Sequence, residues 1–394
     1  MVLNRFSLLV VAGALLLTNL PGCKGCANKD KETTDDVGET GTEPKEFTDD
    51  WGQWLSMAVT PDGKPAAAAY DLTLGAVTYA TAELDAEGNP TWTHEEVDGY
   101  YGDGGIDVGD RGTYTSMAIA PDGTVWISYY DNKVYNLRYA KRDPSDGTWT
   151  SGIADTGSGL TPNVGKWSSL ALDSANNPVI ASYDSDKQQL RIAHWNGSSF
   201  AGEVVDEGED AAADSGATIP ADVGKYAKLK ISGNTEYIAY YDAAAGALKL
   251  AHGSSGAYTT EVVDDTADVG AWPDMIADAD GTLHIAYQDV ENQDLKYAEG
   301  KAGAFTLSTV DTGEYRGADG ALFMNGTYPA VVYFDGRYNN VMLAQNAGDT
   351  WTTDTLAGDD GALGFHNEVI TVGGSHYAGC FDYTNRTVWF HKLD

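Results

Sequence analysis

Apolar residues in this chain form short runs that alternate with polar residues at a period of two, and turn residues separate the runs. The stretch Leu170–Ala193, LALDSANNPVIASYDSDKQQLRIA, contains the unit. It predicts a strand, a tight turn, a second strand ending in Tyr183 and Asp184, another turn and a third strand. Similar stretches are Met117–Ala140 and Met275–Ala298, and looser copies are Met57–Ala80, Leu229–Ala251, Leu322–Ala344 and Val369–His391.

An aspartate closes the second predicted strand of every copy. The seven positions are Asp71, Asp131, Asp184, Asp242, Asp289, Asp335 and Asp382. By subtraction, successive positions lie 60, 53, 58, 47, 46 and 47 residues apart. A single unit cannot bury its apolar faces, so seven copies at this period indicate an array whose units pack on one another.

A fourth strand follows the third in most copies. It begins with an aromatic residue and reaches an apolar residue five places later, as in Phe200/Val205 and Tyr258/Val263. An aspartate then follows in five copies: Asp98, Asp155, Asp206, Asp264 and Asp311. Four short antiparallel strands repeated seven times predict an all-β fold, a seven-bladed β-propeller of four-stranded antiparallel blades.

Each unit opens with glycine, any residue, and then usually an aromatic residue. The third residue of this motif is Trp54, Tyr114, Trp167, Tyr226 or Trp272 in the first five units, Asp319 in the sixth and His366 in the seventh. These aromatic side chains either stack on sugars or pack between blades, and their repetition favours packing.

The last repeat ends after its third predicted strand. Propellers often complete such a blade with a strand from the N-terminal side, and the candidate here is Glu43–Thr48. That segment lacks the pattern of the other fourth strands, so a three-stranded last blade is the alternative.

The N-terminal residues predict an exported protein. Arg5 precedes an apolar run of ten residues, Leu8–Leu17, which is too short to span a bilayer. Leu20-Pro21-Gly22-Cys23 resembles the bacterial lipobox, which implies that Cys23 is lipidated; Lys24 in place of aspartate implies the outer membrane. The predicted domains are a signal peptide at 1–22, a lipidated cysteine and flexible acidic linker at 23–50, and the propeller at 51–394. Periplasmic and surface-exposed positions both remain open.

The formal net charge is -35 and the isoelectric point is about 4.2. Nucleic-acid binding needs a basic footprint, so this charge excludes it. The acidity either favours cationic partners and divalent ions or serves solubility.

The turns before the fourth strands include Ser145-Asp146-Gly147-Thr148-Trp149 and Gly348-Asp349-Thr350-Trp351. They resemble degenerate Asp-boxes of the sialidase-like propeller superfamily, and the resemblance covers about residues 51–394. It implies the fold and a ligand site on the face that carries the turns between second and third strands. It leaves function open, because propellers include hydrolases, lyases, lectins and scaffolds.

Two sets of charged residues are candidates for that face. The seven second-strand aspartates are weak candidates for a metal site such as Ca²⁺, but each is equally suited to accept hydrogen bonds in its own turn. Four arginines are candidates for binding an acidic glycan, as sialidase arginines do: Arg111, Arg316, Arg337 and Arg386. Alternatively, they neutralise nearby aspartates.

Two function classes follow. The favoured one is a non-enzymatic, lipid-anchored module that binds a glycan, a protein or another cell-surface component, with Trp54 and Trp272 as ligand-binding aromatics. The alternative is a sialidase-like hydrolase or polysaccharide lyase that uses the arginine-bearing sector, with Tyr338 and His366 as candidate catalytic residues. We expect a monomer without a required cofactor, attached to the membrane only through its lipid.

Overall fold

The computed structural model describes residues 50–99, 109–158, 162–212, 218–348, 350–358 and 361–393. Every regular element in these ranges is a β-strand, and none of them contains a helix long and apolar enough to cross a membrane. The predicted signal peptide, the lipidation site Cys23, the linker and Glu43–Thr48 lie outside the described residues, so the boundaries at 22 and 50 stay predictions.

In the described residues the strands form seven blades, each a small antiparallel sheet, and one additional two-stranded hairpin. The first blade consists of β1–β4 (Trp51–Val59, Pro65–Asp71, Ala76–Leu84, Pro90–Asp98), and the second of β5–β8 (Arg111–Ile119, Val125–Asp131, Asn136–Arg142, Trp149–Asp155). The third consists of β9–β12 (Val164–Leu172, Pro178–Asp184, Gln189–Trp195, Phe200–Asp206). After a short hairpin, β13–β14 (Ala211–Ala212, Thr218–Ile219), the fourth blade consists of β15–β18 (Val223–Ser232, Thr235–Asp242, Ala247–Ser254, Ala257–Asp264). The last three blades consist of β19–β22 (Val269–Ala277, Leu283–Asp289, Asp294–Lys301, Ala304–Asp311), β23–β26 (Arg316–Asn325, Tyr328–Asp335, Asn340–Asn346, Trp351–Ala357) and β27–β29 (Phe365–Val372, Ser375–Asp382, Thr387–Leu393).

The chain is a seven-bladed β-propeller, which confirms the predicted fold. Each blade is a meander in which consecutive strands pair, and the first strand lies innermost. Trp51 pairs with Asp71, which places the start of the first strand beside the turn between the second and third strands. The same rim therefore carries these turns and the beginnings of the innermost strands.

The core lies between blades rather than within them. One apolar cluster joins Ala68 and Tyr79 of the first blade to Met117, Ile127 and Tyr129 of the second. Second strands such as β2, β6 and β10 are buried along their whole length, because they have a neighbouring blade on both faces. The blades thus depend on each other for burial, as the repeat predicted.

The ring closes by packing of the seventh blade on the first. β1 lies against β27 and β28, and one cluster combines Trp51 and Leu55 with Ile370, Tyr377 and Val388. Within the described residues the seventh blade has three strands.

A glycine near the start of each innermost strand lets the blades approach closely. At Gly270, φ is +105°, and a Cβ atom would lie 2.5 Å from the Cα of Leu248 in the third strand of the preceding blade. Gly165 meets Leu137 in the same way, at 2.7 Å. Real Cβ atoms do not approach backbone atoms this closely, so a larger residue would force the two blades apart.

We expect Gly270→Ala to lower the free energy of unfolding by about 3 kcal/mol, because it adds overpacking to backbone strain. Gly256→Ala is the matched control: φ is +74° but nothing lies within 4 Å of the added Cβ, so it should cost only about 1 kcal/mol. Urea unfolding of both variants measures the two losses in the free energy of unfolding. Equal losses would show that the contact between blades does not add to the cost of the substitution at Gly270.

Candidate functional site

Seven innermost strands each place one residue in the left-handed backbone conformation. The residue two places after each glycine has φ between 49° and 56°: Trp54, Tyr114, Trp167, Tyr226, Trp272, Asp319 and His366. This conformation is uncommon for residues other than glycine, and bulky side chains adopt it at a cost. Because it recurs at a break in strand register in every blade, the bulge is part of the fold.

These seven side chains line one central cavity of about 150 Å³. Neighbouring rings contact each other around it, with centroid separations of 4.1 Å for Trp54–Tyr114, 5.4 Å for Tyr114–Trp167, 4.8 Å for Trp167–Tyr226 and 4.3 Å for Tyr226–Trp272. His366 extends the series at 4.6 Å from Trp54. We call the seven residues the channel ring. All seven are half-buried, so their side chains keep access to the cavity.

The sequence predicted part of this site. Trp54, Trp167, Trp272 and His366 were candidates, and the structure brings all four to the cavity. Tyr114 and Tyr226 shared the motif but were not singled out; the spacing of two residues after glycine was the signal that could have found them. The aromatic side chains contact those of the neighbouring blades, as the favoured expectation of packing between blades implies, and they also line the cavity.

Burial shifts the pKa values of two ring members, Asp319 and His366, in opposite directions. Burial raises the pKa of Asp319 to about 7, and a hydrogen bond from the His366 backbone N–H opposes part of this rise. Burial lowers the pKa of His366 to about 4, so its imidazole is neutral at pH 7. The ring therefore holds an acid that is partly ionised at neutral pH beside a neutral histidine.

A second group of charges lies further along the innermost strands. Lys228 Nζ is 3.0 Å from Asp274 Oδ1, and Glu368 also lines the cavity. Burial favours the neutral amine of Lys228, but the carboxylates of Asp274 and Glu368 outweigh it and raise the pKa of Lys228. Burial raises the pKa of Glu368, and the charge of Lys228 opposes this. Lys230 has a lowered pKa, because of burial and the neighbouring charge of Lys228.

The seven second-strand aspartates bind their own turns. In each, Oδ1 accepts backbone N–H groups of following residues, as Asp131 does from Lys133 at 3.0 Å and Val134 at 3.1 Å. The other six repeat the contact: Asp71, Asp184, Asp242, Asp289, Asp335 and Asp382. Among the described residues, no group of three or more His, Cys, Asp or Glu side chains is arranged to hold a metal ion.

The fourth-strand aspartates connect adjacent blades. Asp264 accepts a hydrogen bond from Tyr287 at 2.7 Å and pairs with Lys296 at 2.5 Å, both from the following blade. Burial opposes ionisation of Asp264, but these hydrogen bonds outweigh it and lower its pKa. Equivalent tyrosine contacts join Tyr129 to Asp98, Tyr240 to Asp206 and Tyr333 to Asp311. In the third blade Ser182 replaces the tyrosine, and Arg191 instead binds Asp155 with two nitrogens.

None of the four candidate arginines lines the central cavity. Arg111 donates to Asp131 at 2.9 Å and to Asp98 at 2.6 Å, and both carboxylates are largely buried. Arg316 lies between Asp311 and Asp335, although its Nε and Nη1 atoms make no well-directed hydrogen bond.

The other two arginines lie at the surface. Arg337 pairs with exposed Glu314 at 2.6 Å, and Arg386 lies 3.2 Å from Asp50. Tyr338 is 60% exposed beneath the Arg337 guanidinium, away from the cavity. All four arginines thus contact carboxylates.

We expect Arg111→Met to lower the free energy of unfolding by about 2 kcal/mol, because it removes charge-assisted hydrogen bonds to two buried carboxylates. Arg138 stays beside both carboxylates, at 3.2 Å from Asp98 and 3.8 Å from Asp131, and limits the loss. Arg337→Met is the control, and loss of its exposed pair should cost less than about 0.5 kcal/mol. Urea unfolding at pH 7 compares the two. If Arg111→Met is as stable as the wild type, the ion pairs of Arg111 do not stabilise the fold, and a role in ligand binding becomes the better explanation for this arginine.

Asp319→Asn tests the environment of the channel ring. The pKa of Asp319 is about 7 in the folded chain and about 4 when unfolded. Between these values the unfolded state releases the proton first, so the wild type should lose stability relative to Asp319→Asn as pH rises from 5 to 8. We expect roughly 2 kcal/mol, since solvent in the cavity screens part of the burial cost.

Unfolding of both proteins at pH 5 and pH 8 measures this difference. His366 titrates in both proteins, so its contribution cancels in the comparison. If the difference in stability between the two proteins is the same at pH 5 and pH 8, the pKa of Asp319 is not raised by folding. Its carboxyl group would then be in contact with bulk water.

No protein-family model matches the chain, and no curated protein matches it significantly. Solved structures resemble it in fold. Polysaccharide lyase Uly1 aligns with a TM-score of 0.52 and 12% identity over 93% of this chain and 94% of its own. A protein of unknown function from Dyadobacter fermentans gives 0.50 and 10% over 78% and 94%, and the intramolecular trans-sialidase from Ruminococcus gnavus gives 0.44 and 9% over 87% and 94%. At such identities the likeness concerns the fold alone.

Proposed function

We propose that this propeller is a glycan-binding module whose ligand enters the channel ring. The observation that carries the proposal is the series of five aromatic side chains around one cavity. Ligand sites are concave, mainly apolar and aromatic, and have a few polar groups that fix orientation. The C–H faces of a sugar ring supply apolar surface for the aromatic rings, and its hydroxyls match the polar ends of Tyr and Trp.

The size of the cavity favours one sugar unit at a time. The cavity is small, at about 150 Å³, so it suits a terminal unit or one side branch.

The polar groups needed for orientation are present. The hydroxyls of Tyr114 and Tyr226 make no hydrogen bond within the described part of the chain and belong to cavity-lining residues. Burial raises the pKa of both tyrosines, to about 12 for Tyr114, so both stay protonated donors. Asp319 adds an acceptor at the same level.

From the predicted export signal and the predicted lipidation of Cys23, we further propose that this module works outside the cytoplasm, at the outer membrane. The acidic linker would then hold the propeller away from the lipid. Labelling with a fatty-acid analogue, followed by comparison with Cys23→Ala, tests the anchor independently of binding.

A second candidate function, a glycan-active enzyme, is favoured by Asp319. Its pKa of about 7 suits a general acid or base, because such groups work best near the operating pH. This differs from the predicted arginine sector, since the group that suits catalysis lies in the channel ring beside His366. Turnover of a bound glycan that is lost in Asp319→Ala would support it.

A glycan-array screen on residues 42–394, followed by titration calorimetry, tests the binding proposal. We expect Trp54→Ala and Trp272→Ala each to weaken binding of the selected glycan at least tenfold, which corresponds to about 1.4 kcal/mol. Trp272→Leu is a second variant, which keeps an apolar side chain but removes the aromatic ring. Tyr338→Ala is the control, because this exposed aromatic lies outside the cavity and should bind like the wild type.

Unfolding curves of the variants separate lost binding from lost structure. Wild-type affinity in both folded tryptophan variants would exclude the channel ring as the site. A protein that binds no glycan on the array, with or without chelator, would overturn the proposal.

A further inference from the structure

The sixth blade breaks the aromatic character of the channel ring with a carboxylate. Asp319 has the same left-handed backbone as its aromatic counterparts, with φ at 49°. It therefore occupies the equivalent place in the cavity wall. Its charge also reaches Tyr226, whose pKa rises by burial and further by the negative charge of Asp319.

Asp319 differs from the other acids near the cavity because no cation neutralises it. No Lys, Arg or His side chain of the described residues forms an ion pair with Asp319; its carboxylate interacts with the His366 backbone N–H. Asp274, by contrast, pairs with Lys228, and Glu368 interacts with the same lysine. A half-buried carboxylate without a cation is unfavourable, and a positively charged ligand would relieve that cost.

Aromatic faces favour the same type of ligand. The face of Trp, Tyr or Phe attracts a cation within about 6 Å, and cages of such rings recognise substituted ammonium groups. The channel ring surrounds the cavity with five aromatic side chains and one carboxylate. The net charge of -35 would also raise the local concentration of cationic ligands.

We propose that the channel ring selects an amino sugar, whose ring stacks on the aromatic side chains while its ammonium group pairs with the Asp319 carboxylate. This inference rests on the proposed glycan-binding function and names its ligand class. A charge-assisted hydrogen bond to the carboxylate then supplies specificity that stacking alone lacks.

The other charged groups near the cavity already have partners. Lys228 follows Tyr226 along the same strand, and the carboxylates of Asp274 and Glu368 balance its charge. The channel ring itself carries no lysine or arginine, and its histidine is neutral at pH 7. The favourable position is therefore beside Asp319, at the level of the aromatic side chains.

Three β-1,4-linked trisaccharides provide a matched set of ligands, because they differ only in the group at carbon 2 of each unit. The glucosamine trimer carries ammonium, the N-acetylglucosamine trimer carries acetamide, and the glucose trimer carries hydroxyl. With residues 42–394 at pH 6.5 and low salt, we expect calorimetry to show at least tenfold tighter binding of the glucosamine trimer than of the glucose trimer.

Asp319→Asn should reduce that preference to less than threefold and change the affinity for the glucose trimer less than twofold. Asp62→Asn is the charge-matched control, since Asp62 is exposed and far from the channel ring; it should keep the full preference. Tetramethylammonium should compete with the glucosamine trimer in the wild type.

The outcomes distinguish the two proposals. Equal affinity for the three trimers would overturn the amino-sugar inference and leave glycan binding intact. If Asp319→Asn keeps the preference for the glucosamine trimer, that preference comes from the general negative charge of the protein, and the inference is also overturned. Failure of all three trimers and of the glycan array would remove both proposals.

Discussion

The close contact between each innermost strand and the third strand of the preceding blade is the constraint on which the site depends. At Gly270 this contact leaves no room for a Cβ atom. The backbone bulges within the next few residues, and the side chain two places after the glycine lines the channel from a left-handed conformation. The repeated glycine and the repeated cavity residue thus belong to one bulged segment of each blade.

Buried carboxylates connect the blades in a similar way, and this explains part of the acidic composition. A tyrosine from the second strand and a cation from the third bind an aspartate at the end of the preceding blade. Within the described residues, the fourth strand of the sixth blade does not end in an aspartate, and the tyrosine position of the seventh blade holds Cys380 instead. Burial raises the pKa of the Cys380 thiol to about 12, which is consistent with a packing role.

The sequence predicted the blades well because their information is local. Period-two alternation, turn residues and the recurring aspartate all act within about 25 residues, and the structure reproduces them. The role of a side chain in the channel ring, by contrast, depends on residues that are far apart in the sequence. The aromatic residues of one blade meet those of the next only after closure, and Asp319 looked like a departure from a motif rather than part of a cavity. The arginines likewise pair with carboxylates on other strands, as Arg111 does with Asp98. Sequence spacing does not reveal such pairs.

The channel ring has seven equivalent backbone positions but not seven equivalent side chains. A ring of identical aromatic residues would hold a small ligand in several rotated poses of equal energy, and the ligand would present no fixed group to the outside. Asp319 and His366 occupy adjacent positions and remove that degeneracy. Two substitutions in a rotationally repeated frame thus give the cavity a direction, so that whatever chain a bound unit belongs to would leave the propeller over one defined sector.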